Sequence, residues 1–359
     1  MKFSVLTAVC DPPADILAAC LESVHSQTHR DVQHVIVDDA STSHEVRDLL
    51  DTAARWDPRI TFVRRESRGG IVAASNDALA AATGEFVALL DHDDVLATTA
   101  LATMNATITP STDLAYSDHD LIRPDGRFAD PVYKPDFSPE RLRQQNYITH
   151  LVVARRALVV EVGGFRAGFD GAQDHDLLLR LSERARHILH VPEVLAHWRM
   201  ASGSVALDPS AKQYAYERGR LAVADHCDRV GIPAEVEIGR HLGTYRVRRS
   251  PANTSTSVLI ASAGGSATVW GRTRPHLGAL LDSLGHDHDA IGEIIVAVPE
   301  GVHVSDDRVG RTVTHTRDES PFAVAAKSAA GSVAVVLDEA MMLDAGSSII
   351  EMVTLLSDP

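Results

Sequence analysis

The chain has 359 residues, of which 45% are hydrophobic and 23% charged; these are proportions of a folded globular protein, not of a disordered or collagen-like chain. Forty-nine Asp and Glu against 34 Lys and Arg give a formal net charge of −15, which disfavours non-specific binding to nucleic acid or anionic lipid because both require a basic surface. Cys10, Cys20 and Cys227 form no CxxC pair or metal-finger spacing, and so sparse a set predicts a reducing, cytoplasmic environment.

Strand and helix patterns alternate over the first hundred residues. Apolar runs of strand length occupy residues 3–9, 32–37, 60–63 and 85–90. Between them, apolar residues recur at helical spacing over 16–24, 46–54 and 70–82. This alternation predicts a parallel sheet covered by helices on both faces, with functional groups at the carboxyl ends of its strands.

The first apolar run predicts a buried strand rather than a signal peptide, because it is short and Asp11-Pro12-Pro13 interrupts it. No run approaches the roughly 18 apolar residues of a membrane-spanning helix.

From about residue 105 to 235 the pattern is looser. A short strand covers 116–120, an apolar segment covers 148–162, and helices are predicted from 174 and over 214–230.

The last third repeats features of the first. Ser257-Val258-Leu259 matches Ser4-Val5-Leu6, and Gly331 precedes Asp338 by seven residues, as Gly84 precedes Asp91. We therefore predict an internal repeat that is incomplete at its carboxyl end.

One acidic cluster follows the strand at 85–90. Asp91 and Asp93 share a face if the segment is extended, and Asp94 follows them. Carboxylates so placed suit Mg²⁺ or Mn²⁺, which prefer oxygen ligands. A solvated acidic turn is the alternative.

Three further residues have both a chemical and a structural interpretation. Asp39 could accept the N3–H of uracil or thymine, or cap the next helix, as Ser41 or Ser43 could. Asp174 could act as a general base on a sugar hydroxyl, or supply charge at a helix start. His197 could complete the shell of a cation, or be a packed histidine.

Several motifs are absent or uninformative. No GxGxxG follows the first strand, and neither GxxxxGK[ST] nor GxSxG occurs, which disfavours dinucleotide, P-loop and esterase sites. His286-Asp287-His288-Asp289 resembles a metal site in composition, but we interpret it as a solvated loop.

Seven segments in chain order carry a family resemblance: SVLTAVCDP (4–12), LESVHSQTH (21–29), HVIVDDAS (34–41), RGGIVAASNDAL (68–79), GEFVALLDHDDVL (84–96), GGFRAGFDGAQDHDLLLRL (163–181) and HWRMASGS (197–204). Together they resemble the inverting family 2 glycosyltransferases of GT-A fold, over about residues 1–225. Residues 133–165 are similar to bacterial transferases of O-antigen and cell-wall polysaccharide assembly, which often carry tandem modules.

The resemblance implies an α/β GT-A fold, with a mostly parallel sheet flanked by helices, and a set of site residues. The nucleotide-sugar-binding residues that it implies are Thr7, Asp39, Gly70, Asn76, Asp91 and His92. The implied ligands of a cofactor, Mn²⁺ or Mg²⁺, are Asp93 and His197. Asp174 is the implied catalytic base, and His175 and Trp198 lie on the acceptor side. Two positions depart from the family: Val9-Cys10 replaces a common Tyr-Asn pair, and Gln173 stands where many members have an acid.

The predicted organisation has four parts. Residues 1–105 form the nucleotide-sugar-binding half of the GT-A domain and 106–235 its acceptor-binding, catalytic half. Residues 236–255 are a connector, and 256–359 are a degenerate, non-catalytic half-repeat. In that repeat Ala340 and Met341 stand where Asp93 and Asp94 stand in the first copy, so its expected role is packing, homodimerisation or holding the acceptor.

The expected reaction is metal-dependent, inverting transfer of a sugar from a UDP- or dTDP-sugar to a hydroxyl of a saccharide or lipid-linked saccharide. The expected setting is bacterial surface polysaccharide synthesis, in the cytoplasm or at the inner face of the plasma membrane. Peripheral membrane association stays open: the acceptor can be lipid-linked, yet no basic amphipathic stretch that would bind a membrane occurs. The alternatives are a nucleotide- or polysaccharide-binding scaffold without turnover and a metal-dependent nucleotidyltransferase.

Overall fold

The computed structural model describes residues 1–200, 213–249, 255–269, 271–285 and 291–341, together with 343, 349, 352 and 353. The chain divides into two compact units. Unit 1 comprises Met1–Val230 and Val236–Val247, and unit 2 comprises Gly231–Glu235 and Arg248–Pro359. The segment 286–289 and residues 250–254 of the predicted connector lie outside the described residues.

Unit 1 contains a nine-stranded sheet. Its strands are β1 Phe3–Val9, β2 Val32–Asp38, β3 Ile60–Arg64, β4 Phe86–Leu89, β5 Val95–Leu96, β6 Leu114–Ile122, β7 Phe128–Val132, β8 Val152–Arg155 and β9 Ile188–Arg199. Its helices are α1 Ala14–His25, α2 His44–Trp56, α3 Ile71–Ala81, α4 Ala100–Thr107, α5 Pro139–Gln144, α6 Arg156–Glu161, α7 Gln173–Ser182 and α8 Gln213–Arg229. A separate hairpin pairs β10 Ala234–Ile238 with β11 Tyr245–Arg249.

The strand order is β3-β2-β1-β4-β8-β6-β9-β5, with β7 paired to β6. The first four strands of this order are parallel, β8 runs antiparallel to both β4 and β6, and β9 is parallel to β6. The sheet is therefore mixed but mostly parallel, as predicted. Because β1, β2 and β4 are parallel, their carboxyl ends meet at one edge.

Burial of the helices explains why the local patterns form this sheet. The apolar stripe of α1 packs Cys20 and Val24 against Phe3, Val5 and Phe86 in one core cluster. Side chains that repeat at helical spacing thereby cover strands that are buried and largely apolar, which is the arrangement expected of a parallel sheet.

Unit 2 contains a four-stranded parallel sheet. Its elements are β12 Thr256–Ala261, β13 Ser266–Val269, β14 Arg272–Pro275, α9 His276–Ser283, β15 Glu293–Pro299, β16 Arg311–His315, α10 Pro321–Ala326 and β17 Val333–Asp338. The order β16-β15-β12-β17 has the same pattern as β3-β2-β1-β4, with the first strand of each set inside.

One close contact recurs in the two units. The Gly84 N–H donates to Ser4 Oγ at 2.8 Å, and the Gly331 N–H donates to Ser257 Oγ at 2.9 Å. A Cβ at Gly331 would lie only 2.7 Å from the backbone of Ser257, so glycine lets this backbone approach its neighbour. These shared features agree with an internal repeat, which stays a prediction.

The Gly331→Ala variant tests this close approach. The added methyl group would push β17 away from β12, and we expect the free energy of unfolding of unit 2 to fall by about 1–3 kcal/mol. Gly278→Ala in α9 is the matched control, because its Cβ would enter open space and alanine favours a helix by up to about 1 kcal/mol. Urea denaturation measures both. Similar effects of the two variants would contradict the contact.

Candidate active site

A cleft that is open to solvent lies at the carboxyl ends of β1 and β4. Leu6, Ala8 and Ile71 are among the residues of its apolar wall. The polar residues that line it are Ser75, Asp91, Thr149, His150, Gln173 and Asp174. An apolar wall with a few polar groups is typical of a small-molecule site.

The segment after β4 is a turn, whereas the sequence predicts an extended strand end. The Asp94 N–H donates to the Asp91 carbonyl oxygen at 3.2 Å. The turn therefore brings Asp91 together with Asp94, three residues on, instead of with Asp93. His150, just before β8, joins them: the ligand atoms of Asp91, Asp94 and His150 lie within 4.8 Å of one another.

Asp94 is the most deeply buried member of this group, at 1% exposure. Its Oδ1 accepts the backbone N–H of Arg199 at 2.9 Å. Its Oδ2 is buried without a hydrogen-bond partner among the described residues, and His150 Nδ1 lies 3.7 Å away. Burial, reinforced by the charges of Asp91 and Asp93, raises the pKa of Asp94 well above its usual range.

His150 completes a set that fits a divalent cation. Burial lowers its pKa to about 4, so the imidazole is neutral at pH 7 and has a lone pair to donate. Two carboxylates with a neutral imidazole are donors that Mn²⁺ accepts, and Mg²⁺ prefers the oxygens. The buried, unpartnered Oδ2 of Asp94 adds to the fit, because such an atom is costly unless something binds it.

The predicted cation ligands Asp93 and His197 lie outside this group. His197 Nδ1 is 2.5 Å from Asp120 Oδ1, and its ring stacks on Phe128 at 4.1 Å. The next residue, Trp198, stacks on His150 at 5.8 Å. Because neighbouring strand residues point to opposite faces, His197 points away from His150. Asp91, Asp94 and His150 are thus the group that could hold a metal ion, while cation binding by Asp93 and His197 stays a prediction.

Asp174 lies in the first turn of α7 and lines the same cleft. Its Oδ2 accepts a hydrogen bond from Asn146 Nδ2 at 2.9 Å, and its Oδ1 accepts one from the backbone N–H of His175 at 2.8 Å. Burial raises the pKa of Asp174, opposed by the His175 N–H, while the Asp91 charge raises it further. A carboxylate with a raised pKa in a cleft is suited to proton transfer.

Residues 4–169 match the family model described as Glycosyl transferase family 2. The chain carries a family 2 glycosyltransferase domain. The likeness continues past residue 169: uncharacterized protein y4gI of Sinorhizobium fredii is 42% identical over 248 residues, which are 68% of this chain and 27% of that protein. O-antigen biosynthesis protein RfbC of Myxococcus xanthus is 39% identical over 247 residues, or 68% of this chain and 19% of that protein.

The chain thus matches only about a quarter or less of the length of these two relatives. Among solved structures, S. aureus TarS 1–349 in complex with UDP-GlcNAc has a TM-score of 0.52 and 21% identity, covering 63% of this chain and 66% of that one. This likeness concerns the fold of the family 2 domain, which is α/β and GT-A-like.

Within the described residues, no helix is at once long and apolar enough to cross a membrane.

At the end of β2, the family 2 domain uses Asp39 to hold the start of α3. The Asp39 carboxylate accepts the backbone N–H groups of Gly69 and Gly70, both at 2.8 Å, and pairs with Arg65 Nε at 3.0 Å. The alternative considered for Asp39 was capping α2, and there the side chain of Ser43 is the cap. Contact of Asp39 and Gly70 with a nucleotide stays a prediction.

Thr7 and His92, also predicted to bind the nucleotide sugar, both contact other parts of the protein. The buried Thr7 hydroxyl is 3.1 Å from His34 Nε2, on the face of β1 opposite to Leu6 and Ala8, which line the cleft. His92 Nδ1 lies 3.0 Å from the carbonyl oxygen of Ala8. The fold therefore points the Thr7 side chain away from the cleft and fixes His92 against β1.

The side chain of Asn76 contacts another part of the protein. Its Nδ2 donates to the carbonyl oxygen of Phe165 at 2.8 Å, and its Oδ1 accepts the Phe165 N–H at 2.9 Å. Both polar atoms of Asn76 thus hold the loop before α7.

His175 and Trp198, predicted on the acceptor side, differ in placement. His175 is 2% exposed, lies 2.8 Å from the Leu142 carbonyl oxygen through Nε2, and stacks on Tyr245 at 5.6 Å. It faces the interior because Tyr245 covers it. Tyr245 lies in residues 236–247, which were predicted as part of a connector but belong to unit 1. Trp198 stacks on His150 beside the cleft.

Sequence reasoning missed His150 and Asn146. Asn146 precedes the apolar segment predicted over 148–162, and His150 lies near its start. The signal was present in Thr149 and His150, two polar residues between the apolar Ile148 and Leu151. Only the pairing of β8 between β4 and β6 carries this segment to the cleft.

Asp94→Asn tests the electrostatic cost of the site without divalent cations. The pKa of Asp94 is raised in the folded state, so the stability of the wild type falls as the pH rises above the pKa of about 4 that Asp has in the unfolded chain. The amide of the variant does not ionise, and its stability lacks this dependence on pH. We expect the variant to be more stable than wild type at pH 7 by about 1–3 kcal/mol, with the difference vanishing toward pH 4. Thermal and urea denaturation over pH 4–7 measure it.

The control is Asp93→Asn, which removes a neighbouring charge that is less buried. It should change stability by no more than about 0.5 kcal/mol. A loss of stability at pH 7 in Asp94→Asn would show that its carboxylate is internally satisfied.

Proposed function

We propose that this protein transfers a sugar from a nucleoside-diphosphate donor to a hydroxyl of a saccharide or lipid-linked saccharide, by a single inverting displacement. The observation that carries the proposal is one shared cleft: Asp174 lines it together with Asp91 and His150, which form the cation-competent group with Asp94. The family 2 domain and the similarity to an O-antigen biosynthesis protein support surface polysaccharide synthesis as the setting.

The proposed donor is a UDP- or dTDP-sugar. The Oδ1 of Asp39 contacts the Gly69 N–H and Arg65 Nε, and its Oδ2 accepts the Gly70 N–H. A carboxylate has about four acceptor positions, so one is left on Oδ2. It can therefore also accept the N3–H of uracil or thymine. TarS, which has a similar fold, was crystallised with UDP-GlcNAc.

Asp174 is the proposed general base. It takes the proton of the acceptor hydroxyl as that oxygen bonds to the anomeric carbon and the bond to the diphosphate breaks. Its raised pKa brings it closer to the neutral pH at which a base works best. The hydrogen bond from Asn146 fixes Oδ2 and so orients the carboxylate.

Asp91, Asp94 and His150 would hold the Mn²⁺ or Mg²⁺ ion. When bound, such an ion supplies positive charge to a leaving diphosphate. Unit 2 is proposed to be non-catalytic, because Ala340 and Met341 occupy the positions of Asp93 and Asp94.

Calorimetric titration with UDP, dTDP, GDP and CDP, with and without Mn²⁺, tests the donor site. We expect UDP or dTDP to bind only with Mn²⁺, and binding to be lost in Asp94→Asn but kept in Asp93→Asn. Ligand at 100 times its dissociation constant should also stabilise the fold by about 2.7 kcal/mol. If no nucleotide binds, the donor site is wrong and a scaffold without turnover becomes the better interpretation.

Asp174→Asn tests the base. The amide keeps the size of the side chain but cannot accept the proton, so we expect kcat to fall by about 10²–10⁴-fold with nucleotide affinity nearly unchanged. Asp228→Asn, on the exposed side of α8, is the control and should keep full turnover. Turnover by Asp174→Asn at the wild-type rate would refute the assignment.

A further inference from the structure

A buried lysine beside the cleft has no role in the proposed reaction. We propose that Lys134 is a positioning residue, whose ammonium group holds residues 146–150 in place and thereby sets His150 beside Asp91 and Asp94 and Asn146 against Asp174. The inference rests on the proposed function, since it concerns the same cleft.

Lys134 is only 7% exposed, which is unusual for lysine. Its Nζ donates to the carbonyl oxygens of Ser117, His150 at 2.8 Å and Ile148 at 3.4 Å. Lysine has three N–H donors, and each has an acceptor here. Burial lowers the pKa of Lys134 to about 7, because the charged ammonium group loses its hydration. Keeping this group buried therefore costs the protein stability.

Two of these three acceptors belong to the segment that carries site residues. Residues 146–150 lie between the end of α5 at Gln144 and the start of β8 at Val152, in neither helix nor strand. The conformation of such a segment depends on contacts made by other parts of the chain. Lys134, which follows β7, supplies such contacts and ties the segment to β6. Its third acceptor is Ser117 of β6, and its own backbone N–H donates to Asp118 Oδ1 at 2.9 Å.

Both ends of this segment contact the proposed machinery. Asn146 donates to Asp174 at one end, and the ring of His150 joins the carboxylates at the other. One ammonium group therefore fixes the spacing between the proposed base and the cation ligands.

The charge of Lys134 provides a test that separates positioning from electrostatics. Its positive charge acts on His150, where it helps to lower the pKa, and by itself it repels a cation in the site. Removing the charge alone would strengthen Mn²⁺ binding. Losing the hold on residues 146–150 would weaken it, so the two effects have opposite signs.

The experiment measures Mn²⁺ binding to the full chain by electron paramagnetic resonance, with Mn²⁺ alone as the ligand. We expect Lys134→Met to raise the dissociation constant by about 10–100-fold, the usual effect of losing a contact that orients a metal ligand. Lys134→Gln is also neutral but keeps two N–H donors, and should bind Mn²⁺ more tightly than Lys134→Met. Lys327→Met, an exposed position in unit 2, has the same charge change and should match wild type.

Hydrogen exchange followed by mass spectrometry gives a second readout. In Lys134→Met, the peptide over residues 146–151 should exchange faster, while peptides of unit 2 should not change. If Lys134→Met does not fold, Lys134→Gln against wild type provides the same comparison.

Three outcomes separate the two proposals. Weaker Mn²⁺ binding with faster exchange in 146–151 supports the inference. Equal or tighter Mn²⁺ binding in Lys134→Met overturns it and leaves the proposed function standing. A wild-type protein that binds no Mn²⁺ contradicts the cation site of the proposed function, and this inference falls with it.

Discussion

Negative charge gathered at the carboxyl end of β4 is the constraint on which the cleft depends. Asp91 and Asp94 meet in one turn, Asp174 lines the same cleft, and burial raises the pKa of both Asp94 and Asp174. Keeping such groups ionised at neutral pH costs stability. The groups around them offset only part of this cost: the backbone N–H and the positive charge of Arg199 on Asp94, an amide and a backbone N–H on Asp174, and a neutral imidazole. A bound cation would supply the missing positive charge, so the same arrangement that weakens the free protein prepares it for a ligand.

The parallel part of the sheet determines where this charge collects. Strands β2, β1 and β4 all end at one edge, and the cleft opens there. One polar contact maintains that edge from outside the cleft. Asp39, just after β2, accepts the backbone N–H groups of Gly69 and Gly70, which precede α3, and α3 forms part of the wall of the cleft. The contact between the Ser4 hydroxyl and the Gly84 N–H joins β1 and β4 at their amino-terminal ends, away from the cleft.

The fold and part of the site could be predicted from the sequence, because both depend on local patterns. Apolar runs and helical spacing predicted the parallel strands and their covering helices, and strand ends pointed to Asp91 and Asp39. Two features of the cleft could not be predicted, each for a physical reason. The approach of Asp94 to Asp91 depends on one backbone hydrogen bond, which decides between a turn and an extended segment. The approach of His150 depends on β8 pairing antiparallel between β4 and β6, a long-range contact that no local periodicity encodes. Cation binding by Asp93 and His197 stays a prediction.

A comparison of the two units shows that strand order alone does not make such a site. In unit 2, β17 corresponds in order to β4, and the buried carboxylate just after it is Glu339. Its two oxygens accept the Ser262 hydroxyl and, at 2.9 Å, the Ala263 N–H, both from the end of β12. A carboxylate whose hydrogen bonds come from its own chain is stable as it stands and gains little from a cation. Asp94 keeps one buried oxygen without such a donor among the described residues, and this difference in hydrogen bonding supports the proposal that unit 1 holds the cation.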